Sequence, residues 1–250
     1  AHAGTPPATW SDDGAQALIL LESLLERGQL HLDDFARRLI DWYKHGHMAV
    51  DGRVFDVGIQ TAYALERLQS GVEPDRAGRS DERSNGNGSL MRVLPLALWH
   101  KGSDLELARD AALQSMVTHG HPRARVCCSL YCLWARYTLL GSPEAWQEAV
   151  SSLEKLCDSE QRRELDLVIA GVTPTGTGYV LDSLHSARWA LRERSYEAVV
   201  KAAISLGNDT DTTACIAGGV AGIRYGNIPE RWIQSLRGKQ LLDPLIQKLH

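Results

Sequence analysis

The stretch NDTDTT, residues 208–213, stands directly before the small and apolar run ACIAGGVAGIRY, residues 214–225. Asn and Asp are preferred at helix N-caps, so this stretch predicts a helix that begins here. The run contains Gly218, Gly219 and Gly222, and each glycine inside a helix costs about 0.8 to 1 kcal/mol relative to alanine. We therefore expect this helix to gain stability from close packing against another backbone, within an all-α fold.

A second acidic segment, Ser11-Asp12-Asp13, is placed in the same way before the first amphipathic run of the chain. Apolar residues recur there at steps of three and four, which is one helical face, and Gly28 ends the run. The face consists of Ala17, Leu18, Leu21, Leu24 and Leu25. The two acidic segments are thus both predicted to lie at helix N-termini.

The rest of the chain repeats the helical period and shows no alternation long enough to predict a strand. Helical runs are predicted around residues 35–43, 59–68, 105–116, 127–140, 153–170 and 180–191, after an irregular start at residues 1–9. The glycine-marked connections are short, except for the polar stretch 72–88, whose length is typical of a functional loop. The prediction is one compact all-α domain over residues 1–250, with about ten or more helices.

Composition excludes several classes of protein. The 250 residues carry 27 Lys and Arg against 31 Asp and Glu, and this net charge of −4 argues against an obligate binder of nucleic acid. The five cysteines contain no CxxC pair, so neither a disulfide framework nor a zinc site is predicted. No apolar run reaches the roughly 20 residues that span a bilayer. We expect a cytoplasmic protein that does not enter membranes.

The acidic segments allow two interpretations. Each alone is a good helix cap, because an acid in the first turn interacts favourably with the helix dipole. If the glycine-rich helix is tightly buried, however, its acidic N-terminus is drawn into the interior, where like charges repel unless a cation lies between them. Carboxylates with hydroxyl oxygens suit Mg²⁺ or Mn²⁺, and the number of ligands allows two ions. The proposed metal ligands are Ser11, Asp12, Asp13, Asp209, Asp211 and Thr212.

Five motifs together resemble those of the ADP-ribosylglycohydrolases, a family that includes the dinitrogenase reductase-activating glycohydrolases. They are Ser11-Asp12-Asp13, GNGSLMR at 86–92, THGHP at 118–122, GTGYV at 176–180 and DTDTTA at 209–214. The motifs follow the order of the family and cover nearly the whole chain. The resemblance implies an ADP-ribosylglycohydrolase-like all-α fold and a binuclear Mg²⁺ or Mn²⁺ centre. It also implies release of ADP-ribose from an ADP-ribosylated protein side chain or another acceptor, without a requirement for nucleic acid.

Two features depart from the pattern of the family. Gly14 stands where the family usually has a further Thr. The chain also starts too late to contain the family's opening helix with its Gly-Asp segment, so we expect the domain at 1–250 to lack that helix. Because of these two departures, the resemblance does not by itself imply full activity.

The remaining motifs each allow a structural and a functional interpretation. The residues Asn87, Gly88 and Ser89 are expected to lead into a helix, either as a phosphate- or ribose-binding turn or with Ser89 as a simple cap. His119 is expected either to pack at a helix junction or to line the substrate cleft. Tyr179, preceded by Gly178, is either an ordinary core aromatic or a ring that stacks on adenine or closes over the ribose. The substrate-binding prediction contains all six residues.

The expected reaction breaks the bond between ribose C1 and the acceptor through an oxocarbenium-like state. One carboxylate must accept a proton from water, and the sequence names Asp12 or Asp211 without separating a ligand from a base. Two alternatives stay open at this point. One is a non-catalytic protein that binds ADP-ribose or a nucleotide, and the other is a helical interaction module whose acidic segments are only caps.

Overall fold

The computed structural model describes residues 4–249, where the chain forms α-helices joined by loops, one 3-10 turn at Val50–Gly52 and two isolated backbone bridges, but no strand. The helices are α1 (Asp12–Arg27), α2 (Leu32–His45), α3 (Ile59–Gln69), α4 (Pro74–Ala77), α5 (Leu94–Trp99), α6 (Asp104–Met116), α7 (Pro122–Leu139), α8 (Ala145–Leu156), α9 (Ser159–Ala170), α10 (Val180–Ala190), α11 (Tyr196–Ser205), α12 (Thr210–Tyr225), α13 (Glu230–Ser235) and α14 (Lys239–Gln247). The predicted all-α class is confirmed. Of the predicted irregular start, residues 1–3 lie outside the described part, as does residue 250.

Helix α7 forms the centre of the domain. It packs against α5, α6, α8, α9, α10 and α12, and every residue from 126 to 135 is buried. A helix that is covered on all sides cannot show a strong apolar stripe, which explains why Cys127, Ser129 and Cys132 stand in the core beside Leu130 and Leu133. The helices α5, α6, α8, α9, α10 and α12 therefore cover α7.

Two predicted helical segments differ from the structure. The run at 153–170 is divided into α8 and α9, because Asp158 caps a new helix: its carboxylate accepts from the backbone N–H of Glu160 and Gln161. The expected helix directly after Ser89 is wrong as well. Residues 88–92 form turns, and α5 begins only at Leu94.

The expected close packing of α12 is found at one of its glycines. A Cβ on Gly219 would lie 2.6 Å from Leu94 Cδ2 and 2.7 Å from the Tyr131 hydroxyl. At Gly218 the nearest atom would be 3.4 Å away, and at Gly222 it would be 3.8 Å away. Close approach therefore requires glycine at position 219, whereas the other two positions have room for a methyl group.

Replacing Gly219 by Ala is expected to lower the free energy of unfolding by about 1 to 3 kcal/mol, because the added methyl group overpacks the contact with α5 and α7. The matched variant Gly218→Ala is expected to be neutral or stabilising by up to about 1 kcal/mol, since alanine favours the helix. Urea unfolding followed by circular dichroism measures both. Equal effects of the two substitutions would contradict this account of the packing.

Candidate active site

A cavity of about 940 Å³ opens where four helix N-termini meet. Its wall contains the first residue of α1, the start of α3, the residue before α10 and the first turn of α12. Helix N-termini carry partial positive charge and unpaired N–H groups, so this arrangement favours an anionic ligand. Eight of the predicted site residues line the cavity: Asp12, Asn87, Gly88, His119, Gly178, Tyr179, Asp209 and Thr212. Much of the remaining wall comes from the long loop at 79–88.

Ser11 joins the two acidic segments, which lie 200 residues apart in sequence. Its hydroxyl lies 2.8 Å from Asp13 Oδ2 and 3.2 Å from Asp211 Oδ2. Although Ser11 occupies the N-cap position of α1, its side chain makes no capping hydrogen bond. The interpretation of this serine as a simple helix cap is therefore wrong, because its hydroxyl bonds to carboxylates instead of the backbone.

Asp209 shows the same departure from capping. It stands at the N-cap of α12 without a side-chain cap bond, and its Oδ2 accepts from Asn87 Nδ2 at 2.8 Å. The same amide nitrogen also lies 3.0 Å from Ser183 Oγ on α10. Asn87 thus orients the Asp209 carboxylate and connects the long loop to the start of α12.

The aspartate cluster consists of Asp12, Asp13, Asp209 and Asp211. Asp12 and Asp13 are buried, whereas Asp209 is half-buried and Asp211 is exposed. Burial, and then the charges of Asp13, Asp56 and Asp211, raise the pKa of Asp12 to about 9. Burial and the charge of Asp211 raise the pKa of Asp13 to about 7. Asp13 Oδ1 is buried and has no hydrogen-bond partner.

These properties fit a divalent cation. A buried oxygen without a partner is costly, and a cation would satisfy it while relieving the repulsion between carboxylates. The donors are carboxylate and hydroxyl oxygens, including that of the buried Thr212, and this hard set suits Mg²⁺ or Mn²⁺. The oxygen donors of the aspartate cluster, Ser11 and Thr212 therefore fit a Mg²⁺ or Mn²⁺ centre.

Another group with metal-ligating side chains lies at the cavity rim. The ligand atoms of Glu82, His121 and Glu164 lie within 4.8 Å of one another. The guanidinium of Arg123 already supplies a positive charge there, because it donates to Glu82 at 2.9 Å and to Glu164 at 2.8 Å. We therefore assign this trio to Arg123 and not to a metal ion.

Arg92 supports the aspartate cluster from the core. Its side chain is fully buried and donates to Gln16 Oε1 at 2.8 Å, to Gln114 Oε1 at 3.0 Å and to the Gln114 carbonyl at 2.9 Å. Gln16 in turn places its amide nitrogen 3.4 Å from Asp12 Oδ2. The buried Arg92 guanidinium is thus connected to the Asp12 carboxyl group through the side chain of Gln16.

His119 and Ser89 occupy different environments, although both were predicted to bind substrate. The His119 ring lines the cavity beside Gly88, where a Cβ would lie 2.9 Å from His119 Cε1. Burial and the charge of Arg92 lower the pKa of His119 to about 3, so the ring is neutral near pH 7. Ser89 is not among the lining residues: it is fully buried, and its hydroxyl accepts from Ser115 Oγ at 2.8 Å. The position of Ser89 fits support of the wall and not side-chain contact with a ligand.

The loop before α10, residues 171–179, is fixed by hydrogen bonds to Asn87 and to Asp182. The Gly178 carbonyl accepts from the backbone N–H of Asn87 at 3.0 Å. The buried Asp182 accepts from the backbone and hydroxyl groups of Thr175 and Thr177, and these bonds outweigh burial and lower its pKa to about 2. The loop therefore presents Tyr179 to the cavity from a fixed backbone.

Sequence reasoning missed three residues of the site. Asp56 lines the cavity at a φ of 61° and acts electrostatically on Asp12. Asp182 organises the tyrosine loop, and its place in the first turn of a predicted helix was an available signal. Arg123 contacts the Tyr179 hydroxyl at 3.1 Å, and nothing in the local sequence signals this, since the two residues are 56 positions apart.

Comparison with known proteins decides the family. The profile of the ADP-ribosylglycohydrolase family matches residues 1–250. The chain belongs to the ADP-ribosylglycohydrolase family. The predicted resemblance is thereby confirmed, and so is the enzyme class, that of the ADP-ribosyl hydrolases.

Individual relatives agree with membership in the ADP-ribosylglycohydrolase family. An ADP-ribosylarginine hydrolase, Tri1, of Serratia proteamaculans is 30% identical over 97% of this chain and 67% of that protein. The ADP-ribosyl-[dinitrogen reductase] glycohydrolase of Rhodospirillum rubrum is 26% identical over 92% of this chain and 74% of its own length. A solved ADP-ribosylglycohydrolase-related protein complex superposes with a TM-score of 0.79 at 33% identity, covering 98% of this chain and 82% of the other. The chain spans about two thirds of the length of the Tri1 relative.

None of the helices within 4–249 combines the length and the apolar character needed to cross a bilayer.

Proposed function

We propose that the chain is a metal-dependent hydrolase that releases ADP-ribose from an ADP-ribosylated acceptor. The observation that carries this proposal is the hydrogen bonding of Ser11 to both Asp13 and Asp211, which brings the two acidic helix starts into one cluster at the cavity. Neither residue segment alone offers enough ligands for a metal centre. The contact between the two segments therefore supports metal-dependent release of ADP-ribose by this chain.

The proposed centre holds two Mg²⁺ or Mn²⁺ ions. Its ligands are Ser11, Asp12, Asp13, Asp209, Asp211 and Thr212, and the buried, unpartnered Asp13 Oδ1 supports this assignment. When bound, divalent cations supply Lewis-acid chemistry, that is, they polarise hydroxyl oxygens of the ribose and of water.

The protein side chains supply the proton acceptor. Asp12 lines the cavity, whereas Asp211 is not among the lining residues and contacts Ser11. Asp12 is therefore the better candidate for the base, because a base must reach the attacking water within hydrogen-bond distance. A bound cation would offset the burial and the carboxylate repulsion that raise the pKa of Asp12, and would thereby favour its ionised form. Asp56 presents a second carboxylate to the same cavity and is placed to stabilise the positive charge that develops on the ribose.

The nucleotide end of the substrate is assigned to the part of the cavity that Tyr179, His119 and the long loop line. Tyr179 offers an aromatic face, His119 offers a neutral ring, and the backbone at Asn87 and Gly88 approaches the cavity closely. The partial positive charge at the four helix N-termini favours binding of the negative diphosphate, which links the two ribose groups of ADP-ribose. A cavity of about 940 Å³ has room for a ligand the size of ADP-ribose.

The choice of acceptor follows from the relatives alone. Two of them are named ADP-ribosylarginine hydrolases, at 30% and 31% identity. ADP-ribosylated arginine in a protein is therefore the first acceptor that we propose. Serine-linked and nucleic-acid-linked ADP-ribose are the comparison substrates.

Metal binding gives the first test. Calorimetric titration of metal-free protein with Mn²⁺ is expected to show about two bound ions, and chelation is expected to lower the unfolding temperature in proportion to RT ln(1 + [L]/Kd). The same titration with the Asp33→Asn variant is expected to match the wild type, because Asp33 is an exposed first-turn acid of α2 outside the cluster. No binding at millimolar Mn²⁺ would refute the metal centre.

Turnover separates an enzyme from a binding protein. Release of ADP-ribose from arginine-linked substrate in saturating Mg²⁺ or Mn²⁺ is the expected result. Binding of free ADP-ribose without release from any acceptor would replace the hydrolase by the non-catalytic alternative.

A further inference from the structure

Arg123 connects three separate elements at the rim of the cavity. Its guanidinium donates to Glu82 on the long loop at 2.9 Å, to Glu164 on α9 at 2.8 Å and to the Tyr179 hydroxyl at 3.1 Å. The side chains of Arg123 and Glu164 are 11% and 16% exposed, so their contact is largely shielded from water, whereas Glu82 is 70% exposed and meets Arg123 at the surface. The planar fork of arginine can serve three acceptors in fixed directions, which the single ammonium of lysine cannot do.

The surroundings of Arg123 are themselves fixed. His121 Nδ1 accepts from the backbone N–H of Arg123 at 3.1 Å, so in the neutral ring Nε2 carries the proton and donates to Glu82 Oε2 at 3.1 Å. Glu82 is therefore held by two neighbouring residues of the α7 N-terminus. Its loop supplies the cavity wall from residue 79 to 88.

The backbone before Tyr179 is fixed, but its ring lies at the end of a rotatable side chain. The Arg123 contact, at the far end of the ring, is the only hydrogen bond of the hydroxyl among the described residues. Without this contact the ring has nothing polar to set its orientation toward the cavity. An aromatic ring can stack on a nucleotide base only if its face is presented to the ligand.

We propose that Arg123 is a positioning residue that orients the Tyr179 ring for the adenine end of the substrate and ties this ring to the Glu82 loop. The inference rests on the proposed function, because it requires that ADP-ribose binds in the cavity. Specificity for adenine then depends on Arg123, although Arg123 need not contact the ligand. Removing the contact is expected to weaken recognition of adenine and to leave recognition of ribose and phosphate unchanged.

The experiment measures the affinity of two ligands by calorimetry in saturating Mg²⁺: ADP-ribose, and ribose 5-phosphate, which lacks adenine. The variants are Tyr179→Phe, which removes one oxygen and keeps the ring, Arg123→Lys, and the double variant. The control is Arg162→Gln, which removes an exposed guanidinium of α9 that pairs with Glu154 and Asp166. Circular dichroism verifies the helix content of each protein.

Tyr179→Phe and Arg123→Lys are each expected to weaken ADP-ribose binding by about 3- to 30-fold, since each loses a hydrogen bond to a charged group. The double variant is expected to be no weaker than the worse single variant, because the two residues act through one contact. Affinity for ribose 5-phosphate is expected to stay within about 2-fold of the wild type. In turnover assays KM for the ADP-ribosylated substrate rises and kcat changes little.

Different failures have different meanings. Wild-type protein that does not bind ADP-ribose overturns both this inference and the proposed function. Wild-type binding with unchanged affinity in Tyr179→Phe overturns the positioning role alone, and this variant removes too little to prevent folding. Equal losses for ADP-ribose and ribose 5-phosphate would show a general structural role for Arg123 and would also overturn the inference.

Discussion

Replacing Asp211 by Asn is expected to abolish release of ADP-ribose while leaving the helix content unchanged. The substitution preserves the size of the side chain but removes one negative charge from the aspartate cluster, where Ser11 joins Asp211 to Asp13. A loss of at least about 100-fold in kcat/KM is expected, the effect of losing one strong electrostatic contact at a reacting centre. Metal affinity is expected to fall as well, because an amide oxygen is a poorer ligand than a carboxylate.

The stability of the metal-free variant gives an independent check. Because like charges repel in the cluster, removing one of them is expected to leave the metal-free protein as stable as the wild type, or more stable. The stabilisation by Mn²⁺ is expected to shrink. Asp33→Asn, which removes a first-turn acid from α2, is expected to change neither turnover nor the response to Mn²⁺. An Asp211→Asn enzyme with wild-type turnover would remove Asp211 from the centre.

Replacing Asp34 by Asn is expected to lower the free energy of unfolding by about 3 to 5 kcal/mol, the usual cost of breaking a buried ion pair from one side. The Asp34 side chain is 1% exposed and accepts from Arg38 Nε at 2.6 Å and from Ser23 Oγ at 2.9 Å. Two more exposed arginines, Arg27 and Arg37, also donate to it. The variant leaves Arg38 buried with Glu22 and Glu26 as its remaining partners.

The same carboxylate predicts an acid dependence of stability. Burial raises the pKa of Asp34, but the hydrogen bonds from Arg27, Arg38 and Arg37 outweigh it and hold the pKa far below the ordinary value of 3.8. For a depressed pKa, the stabilisation is fully present above the unfolded value and is lost as the pH falls through the folded value. The free energy of unfolding of the wild type, measured in urea, is therefore expected to decrease as the pH falls below about 4. In the Asp34→Asn variant the free energy of unfolding is expected to depend less on pH in this range.

Asp166→Asn is the matched control for Asp34. Asp166 is 61% exposed and pairs with Arg162 one helical turn away, so its loss is expected to cost less than about 1 kcal/mol. Comparable losses in the two variants would mean that burial of the Asp34 network contributes nothing.

The sequence alone determined the class of fold and most helix positions, because helical periodicity and capping are local properties. Ser11-Asp12-Asp13 and residues 208–213 were predicted at helix starts, and α1 and α12 begin there. One local signal was overlooked in the sequence: the capping box of Asp158 and Gln161 divides a run that has one continuous period. Ser89 was misplaced because turn geometry at 88–92 depends on burial against α6 and α7.

The motifs named eight of the residues that line the cavity, but not Asp56. The sequence did not show which of the named residues face the cavity, because that depends on contacts between distant segments. Asn87 reaches Asp209 across 122 positions, and Arg123 reaches Tyr179 across 56. Gly219 likewise differs from Gly218 only through the neighbours that pack against it.

The sequence by itself thus determined where helices begin, that acids stand at two of these starts, and which family the motifs resemble. Only the tertiary structure decided that Ser11 bonds to carboxylates instead of capping α1, and that Asp56 joins Asp12 at the cavity. The physical reason is the range of the interactions. Capping and periodicity act within one or two turns of a helix, whereas the charge and burial of a site are set by all the elements that meet there.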